Sequence, residues 1–391
     1  MIEYLKCNCI KYSIPDEEYN IPIKLSPNKK DMLIAVVNTK NNIVLYKIIN
    51  TEIIYFDILY TGSRNKIIGL EWSAKNELLI VTIDMKCVIF KKNQKEKWEC
   101  TNVNIPTEEL PTCVCWHPHA NTFAIGFSSG TIFICSLKDK QKWVIKKIEN
   151  HTGSILFLDW SSFGYILSTS SLDSTSLLIY TPNVVDEEAN NKDNLKLYRK
   201  FEECIAERKF KNNDIINKVE YTGYVLCHSS FSLSNEKVAI IASSFDNSCK
   251  KQKIIISDFL KSPINTQSVT WVGQTLQKCL FLDNERLLVY GYEVFPIIIE
   301  CINNEWIISR VVLPEFIIKN LSVDFFYDKK SIKDIEQEYD ELNGNEIIGE
   351  IVAHSNSILQ LSMLETCEDM KNGKFATVSS DFNVVIWSYS L

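Results

Sequence analysis

Three observations predict an all-β protein, a seven-bladed β-propeller with a helical insert between blades six and seven. Self-similar units recur along the chain. Each unit consists of short runs rich in Ile, Val, Phe and Leu, separated by Asn, Asp, Ser and Gly turns. The longest apolar runs, such as Val294 to Ile299 and Trp306 to Leu313, have the length of a strand and fall well short of a bilayer span.

The repeat is visible once units are aligned on the end of their second apolar run. These ends fall at Tyr46, Phe90, Cys135 and Tyr180, with spacings of 44, 45 and 45 residues. Further units end near Ser257, at Ile299 and at Trp387, and the two long gaps among them each hold one unit and an insertion. Four short antiparallel strands cannot bury both of their faces alone, so such units stack radially, each covering its neighbours. The expected organisation is one propeller over residues 1–391, with an insert at 183–220 before blade five and another at 314–349 between blades six and seven. A strand within Ile2 to Ile14 is expected to pair with the last blade, because a propeller otherwise leaves open edges at its seam.

Composition agrees with a packed protein. Of 391 residues 46% are hydrophobic, and 12 glycines with 10 prolines exclude collagen-like or linker-dominated chains. A net charge of −7 argues against broad capture of phosphate backbones or anionic membrane. The first residues show no basic region followed by an apolar run and cleavage site, so no secretory signal is expected, and the 13 cysteines are read as buried thiols in a reducing compartment.

Two units carry a more specific pattern. His354 lies 27 residues before Asp381, which lies six before Trp387, and His151, Asp173 and Tyr180 repeat the scheme with a seven-residue final gap. This resembles a WD repeat, in which such a His, a strand Ser or Thr, the turn Asp and the aromatic form a buried structural network. The stretches TCVCWHPHANTFAIGFSSGTIFICSL, LFLDWSSFGYILSTSSLDSTSLLIYT, GYVLCHSSFSLSNEKVA and LQKCLFLDNERLLVYGYEVFPIII, with the closing GKFATVSSDFNVVIW, resemble the WD-repeat subunit family of the actin-related protein 2/3 complex over nearly the whole chain.

That resemblance implies a non-catalytic scaffold, assembled with other subunits and two actin-related proteins to nucleate branched actin filaments. It implies an address in the cytoplasm and cytoskeleton, a nuclear pool being compatible with it. The same architecture also fits a WD-repeat scaffold of another assembly, such as a vesicle coat or a chromosome-associated complex.

Enzymatic readings fail on context. Gly126-Phe127-Ser128-Ser129-Gly130 matches the G-x-S-x-G expression, but a nucleophile elbow needs a helix after the serine, and TIFICS reads as another strand. Cys113, Cys115, His117 and His119 alternate at period two, but neighbouring same-face strand positions point in parallel and do not converge on a tetrahedral metal, so they read as buried thiols followed by a His-Pro turn. No phosphate-cradling glycine loop is present. The expectation is no catalytic residue, no cofactor and no metal.

Two segments are candidates for contact with partners. Lys138, Lys140 and Lys142 flank Trp143 with Lys146 and Lys147, which reads as a solvated inter-blade hairpin or as a basic turn for an acidic partner; the resemblance implies the acidic tail of a nucleation-promoting factor. In the second insert Ile332, Ile335, Tyr339 and Leu342 fall at spacings of 3, 4 and 3, a helical stripe with Ser331 as its cap and Gly344 beyond its end. The resemblance implies that this insert meets the actin filament, although Asp334, Glu336, Glu338, Asp340 and Glu341 make it acidic.

Overall fold

The computed structural model describes residues 3–314 and 358–390, apart from 14–23, 29–32, 38–40, 50–51, 74, 76, 120, 139–141, 183–202, 204–206, 246–250, 273–274, 293–295, 367–371 and 380–382. The described residues form strands and turns almost throughout. The expected helical insert and the stripe of Ile332, Ile335, Tyr339 and Leu342 lie outside them, as do Lys140, His354 and Asp381.

Five sheets have four strands each, in simple meander order. After β1 (Glu3–Ser13), the first is β2 (Lys24–Asn28), β3 (Leu33–Val37), β4 (Ile43–Ile49) and β5 (Glu52–Leu59). The second is β6 (Ile67–Trp72), β7 (Leu78–Thr82), β8 (Cys87–Lys92) and β9 (Trp98–Val103). The third is β10 (Pro111–Trp116), β11 (Thr122–Phe127), β12 (Ile132–Lys138) and β13 (Lys142–Ile148). The fourth is β14 (Ile155–Trp160), β15 (Ile166–Ser171), β16 (Thr175–Tyr180) and β17 (Ile215–Glu220). The fifth is β18 (Tyr224–Phe231), β19 (Lys237–Ser244), β20 (Lys251–Asp258) and β21 (Asn265–Val272).

The sixth sheet has eight strands, two blades joined through β1. Its order runs β22 (Leu276–Phe281), β23 (Arg286–Gly291), β24 (Ile297–Ile302), β25 (Glu305–Pro314), β1, β28 (Asn383–Ser390), β27 (Asn372–Ser379) and β26 (Ile358–Thr366). The N-terminal strand pairs antiparallel with β28, from Cys7 opposite Tyr389 to Ser13 opposite Asn383, as the closure argument expects. It also pairs parallel with β25, Glu3 opposite Arg310 through Cys7 opposite Pro314, which nothing in the sequence announced.

One boundary differs from expectation. Residues 215–220, placed in the first insert, are β17, the fourth strand of its blade, with Thr175 opposite Glu220 and Leu177 opposite Lys218. Asn217, Lys218 and Glu220 interrupt its apolar residues, and Ile215, Lys218 and Glu220 are exposed, as suits an outermost strand, so it lacks the continuous apolar run that marks the inner strands.

The chain divides into two compact units, residues 1–59, 271–278 and 285–391 in one, and 60–270 with 279–284 in the other. Within the second unit the core consists of apolar layers between successive sheets. Val81 and Ile89 of the second sheet meet Val114, Phe123 and Ile125 of the third. Cys115, Ile132 and Ile134 meet Leu158, Leu167 and Ile179 of the fourth, whose Ile166 and Leu178 face Leu226, Ile240 and Ile255 of the fifth. Gly69 is required by this packing, since a Cβ there would lie 2.0 Å from Cγ1 of Val114.

Candidate functional site

The WD network of the fourth blade is assembled at one end of β14, β15 and β16. His151 precedes β14, and Asp173 sits in the β15–β16 turn. His151 Nδ1 lies 3.0 Å from Oδ2 of Asp173, and its Nε2 lies 2.7 Å from the Thr169 hydroxyl. Asp173 also accepts the Thr152 amide at 3.0 Å, and the Thr175 hydroxyl and amide at 2.6 and 3.0 Å. Burial works against ionisation of Asp173, but the Thr175 hydroxyl, the Thr152 amide and His151 outweigh it and hold the carboxyl below its ordinary value. Burial lowers the pKa of His151, so the imidazole is neutral, donating from Nδ1 to Asp173 and accepting from Thr169. Every polar atom serves the turn, which makes this a structural device.

The seventh blade retains an indole. Trp387 is fully buried and its Nε1 donates to the Thr377 hydroxyl at 2.7 Å. Thr377 faces Val385 across the β27–β28 pair, and Thr169 faces Leu177 across β15–β16. Counting two residues onward in each third strand, the position of Trp387 is taken in the fourth blade by Ile179, while Tyr180 stands one residue later, opposite Ile166. Tyr180 packs partly buried beside Ile166, Leu178 and Phe231, on the side facing the fifth blade. A residue alternates its face along a strand, so the seven-residue gap from Asp173 to Tyr180 and the six-residue gap from Asp381 to Trp387 lead to opposite sides of the sheet.

The four alternating residues of the third blade are used separately. Cys115 is buried in the layer toward the fourth blade, its thiol pushed well above the ordinary range by burial and by the charges of Glu71 and Asp159. Cys113 is half-buried. His117 is buried, with Nε2 2.9 Å from the Gly164 carbonyl and Nδ1 accepting the His119 amide at 3.1 Å. His119 Nε2 approaches the Ser162 carbonyl at 2.5 Å. Both imidazoles thus tie the β10–β11 turn to the β14–β15 turn of the next blade.

That tie belongs to a series the sequence did not reveal. Lys75 Nζ donates to the Asn121 side chain at 2.9 Å, joining the second and third blades. The Ser162 amide donates to Asn235 Oδ1 at 2.8 Å, joining the fourth and fifth. The Ser234 amide donates to Asn284 Oδ1 at 2.8 Å, and Lys237 Nζ to the Asn284 carbonyl at 3.1 Å. At this end of the unit the first turn of each blade is latched to the next by polar groups.

The G-x-S-x-G segment is the β11–β12 turn, with Gly130 at a φ of 91°. A Cβ on Gly130 would come 2.5 Å from the His151 carbonyl, so the glycine seats one blade's turn against the next. Ser128, the serine of that expression, is exposed, while Ser129 bonds Glu109 and Thr131, and no imidazole reaches either among the described hydrogen bonds. Lys138 and Lys142 are exposed and face each other across the β12–β13 hairpin, while Lys147 pairs with Glu149 at 2.8 Å. Among the described residues no cluster of three or more His, Cys, Asp and Glu could hold a metal ion, and no helix is long and apolar enough to cross a membrane.

Comparisons with known proteins follow the same lines. Residues 70–163 match the family described as the anaphase-promoting complex subunit 4 WD40 domain, a span that runs from β6 past β14. Actin-related protein 2/3 complex subunit 1A of Arabidopsis thaliana is 22% identical over 374 residues, covering 91% of this chain and 90% of the relative. Subunit 1A-A of Xenopus laevis is 24% identical over 332 residues, covering 83% and 82%. Along most of its length the chain is similar to subunit 1 of the actin-related protein 2/3 complex. Two solved structures support the fold alone. A chain of the mitotic checkpoint complex superposes with a TM-score of 0.61 at 10% identity, covering 97% of this chain and 95% of the other. Sqt1 of Saccharomyces cerevisiae superposes with 0.60 at 11%, covering 98% and 100%. The chain is therefore a WD-repeat β-propeller.

Proposed function

We propose that this chain is a non-catalytic scaffold subunit of an actin-related protein 2/3 complex, which nucleates branched actin filaments. One observation carries the reading: similarity to a subunit 1A extends over nine-tenths of both chains, whereas the anaphase-promoting complex match stops at residue 163 and conveys the repeat alone. The described His117 and His151 are each engaged in holding a turn, which supports a structural use for them.

In this reading the partners are the other subunits of the complex, with the insert stripe of Ile332, Ile335, Tyr339 and Leu342 meeting the actin filament. The exposed Lys138 and Lys142, with Lys140 between them, receive the acidic tail of a nucleation-promoting factor. The complex works in the cytoplasm at the cytoskeleton. The test is affinity purification of the tagged chain under native conditions, followed by pyrene-actin assembly. Co-elution of two actin-related proteins in equal amounts, with branch formation, is the expected result. Recovery of vesicle-coat or chromosomal proteins in their place would overturn it.

A further inference from the structure

A serine or threonine precedes proline at three places, Ser26, Thr181 and Ser262. Proline-directed protein kinases read such a pair, and the fold separates the three. Ser26 lies within β2, opposite Ala35 of β3. Thr181 is fully buried, and its hydroxyl donates to the Tyr165 carbonyl at 3.4 Å. Ser262 stands in the turn between β20 and β21, where residues 261–266 are all exposed, and its hydroxyl makes no hydrogen bond among the described residues. Pro263 has no amide to give to a ladder, so the strands stop at Asp258 and resume at Asn265, and the residues between them stand clear of the sheet.

A guanidinium already sits on this turn. Arg208, from the segment that leads into β17, donates Nη1 to the Phe259 carbonyl at 3.0 Å and Nη2 to the carbonyls of Leu260 and Lys261 at 3.3 and 2.7 Å. The last carbonyl belongs to the peptide bond that joins Lys261 to Ser262, so the guanidinium lies one peptide unit from the hydroxyl. Those bonds use three of the five N–H donors of an arginine and leave two. Lys261 is exposed, with its ammonium 2.8 Å from Oδ2 of Asp258. The turn and its tether thus carry two cations and one carboxylate.

We propose that Ser262 is a phosphorylation site for a proline-directed kinase, and that Arg208 receives the phosphate. The hydroxyl oxygen takes the γ-phosphoryl group of ATP, its proton is released and ADP leaves. The product places a dianion with three acceptor oxygens beside a guanidinium that has donors to spare, an arrangement that orders a segment. Before modification Arg208 holds only main-chain carbonyls. Afterwards it also holds the phosphate, and Lys261 turns from Asp258 toward the same charge. Residues 207–214, and with them the start of β17, are thereby fastened to the outer turn of the fifth blade. The inference stands whichever assembly the chain enters.

The test uses the full chain, a purified cyclin-dependent kinase and radiolabelled ATP. A single phosphate per chain is expected, mapped to Ser262 by mass spectrometry and lost in Ser262→Ala, whose thermal midpoint should equal that of wild type. Amide hydrogen exchange over residues 207–214 should slow about tenfold on phosphorylation. Each variant is compared with its own unphosphorylated form. Arg208→Gln should take up the phosphate and lose the slowing, whereas Arg208→Lys, which keeps the charge without the fork, should retain part of it. No incorporation, or equal incorporation into Ser262→Ala, would overturn the site. Slowing that persists in full in Arg208→Gln would overturn the role of the guanidinium.

Discussion

His117 and Gly164 meet across two blades so closely that no other residue fits at 164: the imidazole Nε2 lies 2.9 Å from the Gly164 carbonyl, and a Cβ on Gly164 would lie 2.2 Å from the same nitrogen. Gly164 also holds a φ of 78°, so Gly164→Ala combines a clash with a strained backbone. A loss of about 2 to 4 kcal/mol is expected in urea unfolding, within the range for overpacking and special backbone conformations.

The same imidazole should make the fold acid-sensitive. Donation from Nε2 and acceptance at Nδ1 define a neutral ring, and burial pushes its pKa down to about 4 from an ordinary 6.5. In that interval the unfolded chain binds the proton and the folded one does not, so this contribution is whole above pH 6.5 and drains away as pH falls toward 4. His117→Gln, measured against wild type by denaturant titration at pH 7.5 and 5, should flatten that decline by about 1 to 2 kcal/mol. A pH slope identical to wild type would refute the assignment.

Asp159 should act in the opposite sense. Burial, with the charge of Glu71 added, pushes its carboxyl up to about 8. A raised acid keeps its proton in the fold and loses it in the unfolded chain, so its stabilising share is complete below about pH 4 and vanishes as pH rises through 8. Asp159→Asn should therefore raise stability by about 1 to 3 kcal/mol at pH 8.5 and by less at pH 6. An Asn variant that is weaker than wild type at both pH values would show that the carboxylate is ionised and bonded.

The two WD networks should respond differently to loss of their central groups. Asp173→Ala strands the His151 ring, the Thr152 amide and the Thr175 hydroxyl, with an expected cost of about 2 to 4 kcal/mol. Trp387→Phe keeps the ring beside Phe375 but removes the donor to Thr377, for about 1 to 2 kcal/mol. Equal costs in guanidinium titrations would mean that Asp173 is not the hub of its turn.

The fold was legible where burial writes a pattern. The apolar runs of the third strands, covered on both faces, end at Phe90 and Cys135 with a regular count, and they are continuous. Outer strands such as β17 are interrupted by polar residues and read as polar insert. The inter-blade latches were illegible because they join residues far apart in sequence, Ser162 to Asn235 or Ser234 to Asn284, through side chains that look like ordinary turn formers. Tyr180 shows a third cause. An aromatic in roughly the right place attracted the assignment, whereas pairing of Thr169 with Leu177 puts Ile179 in the tryptophan position.

The placement of β1 between β25 and β28 ties the history of synthesis to the finished structure. Glu3 to Ser13 are synthesised long before their partners, which reach to Tyr389. At roughly 5 to 20 residues per second, this strand waits tens of seconds with both backbone edges open. During that time its open edges invite pairing with other chains, so the yield of folded protein depends on how well this strand is kept apart from them.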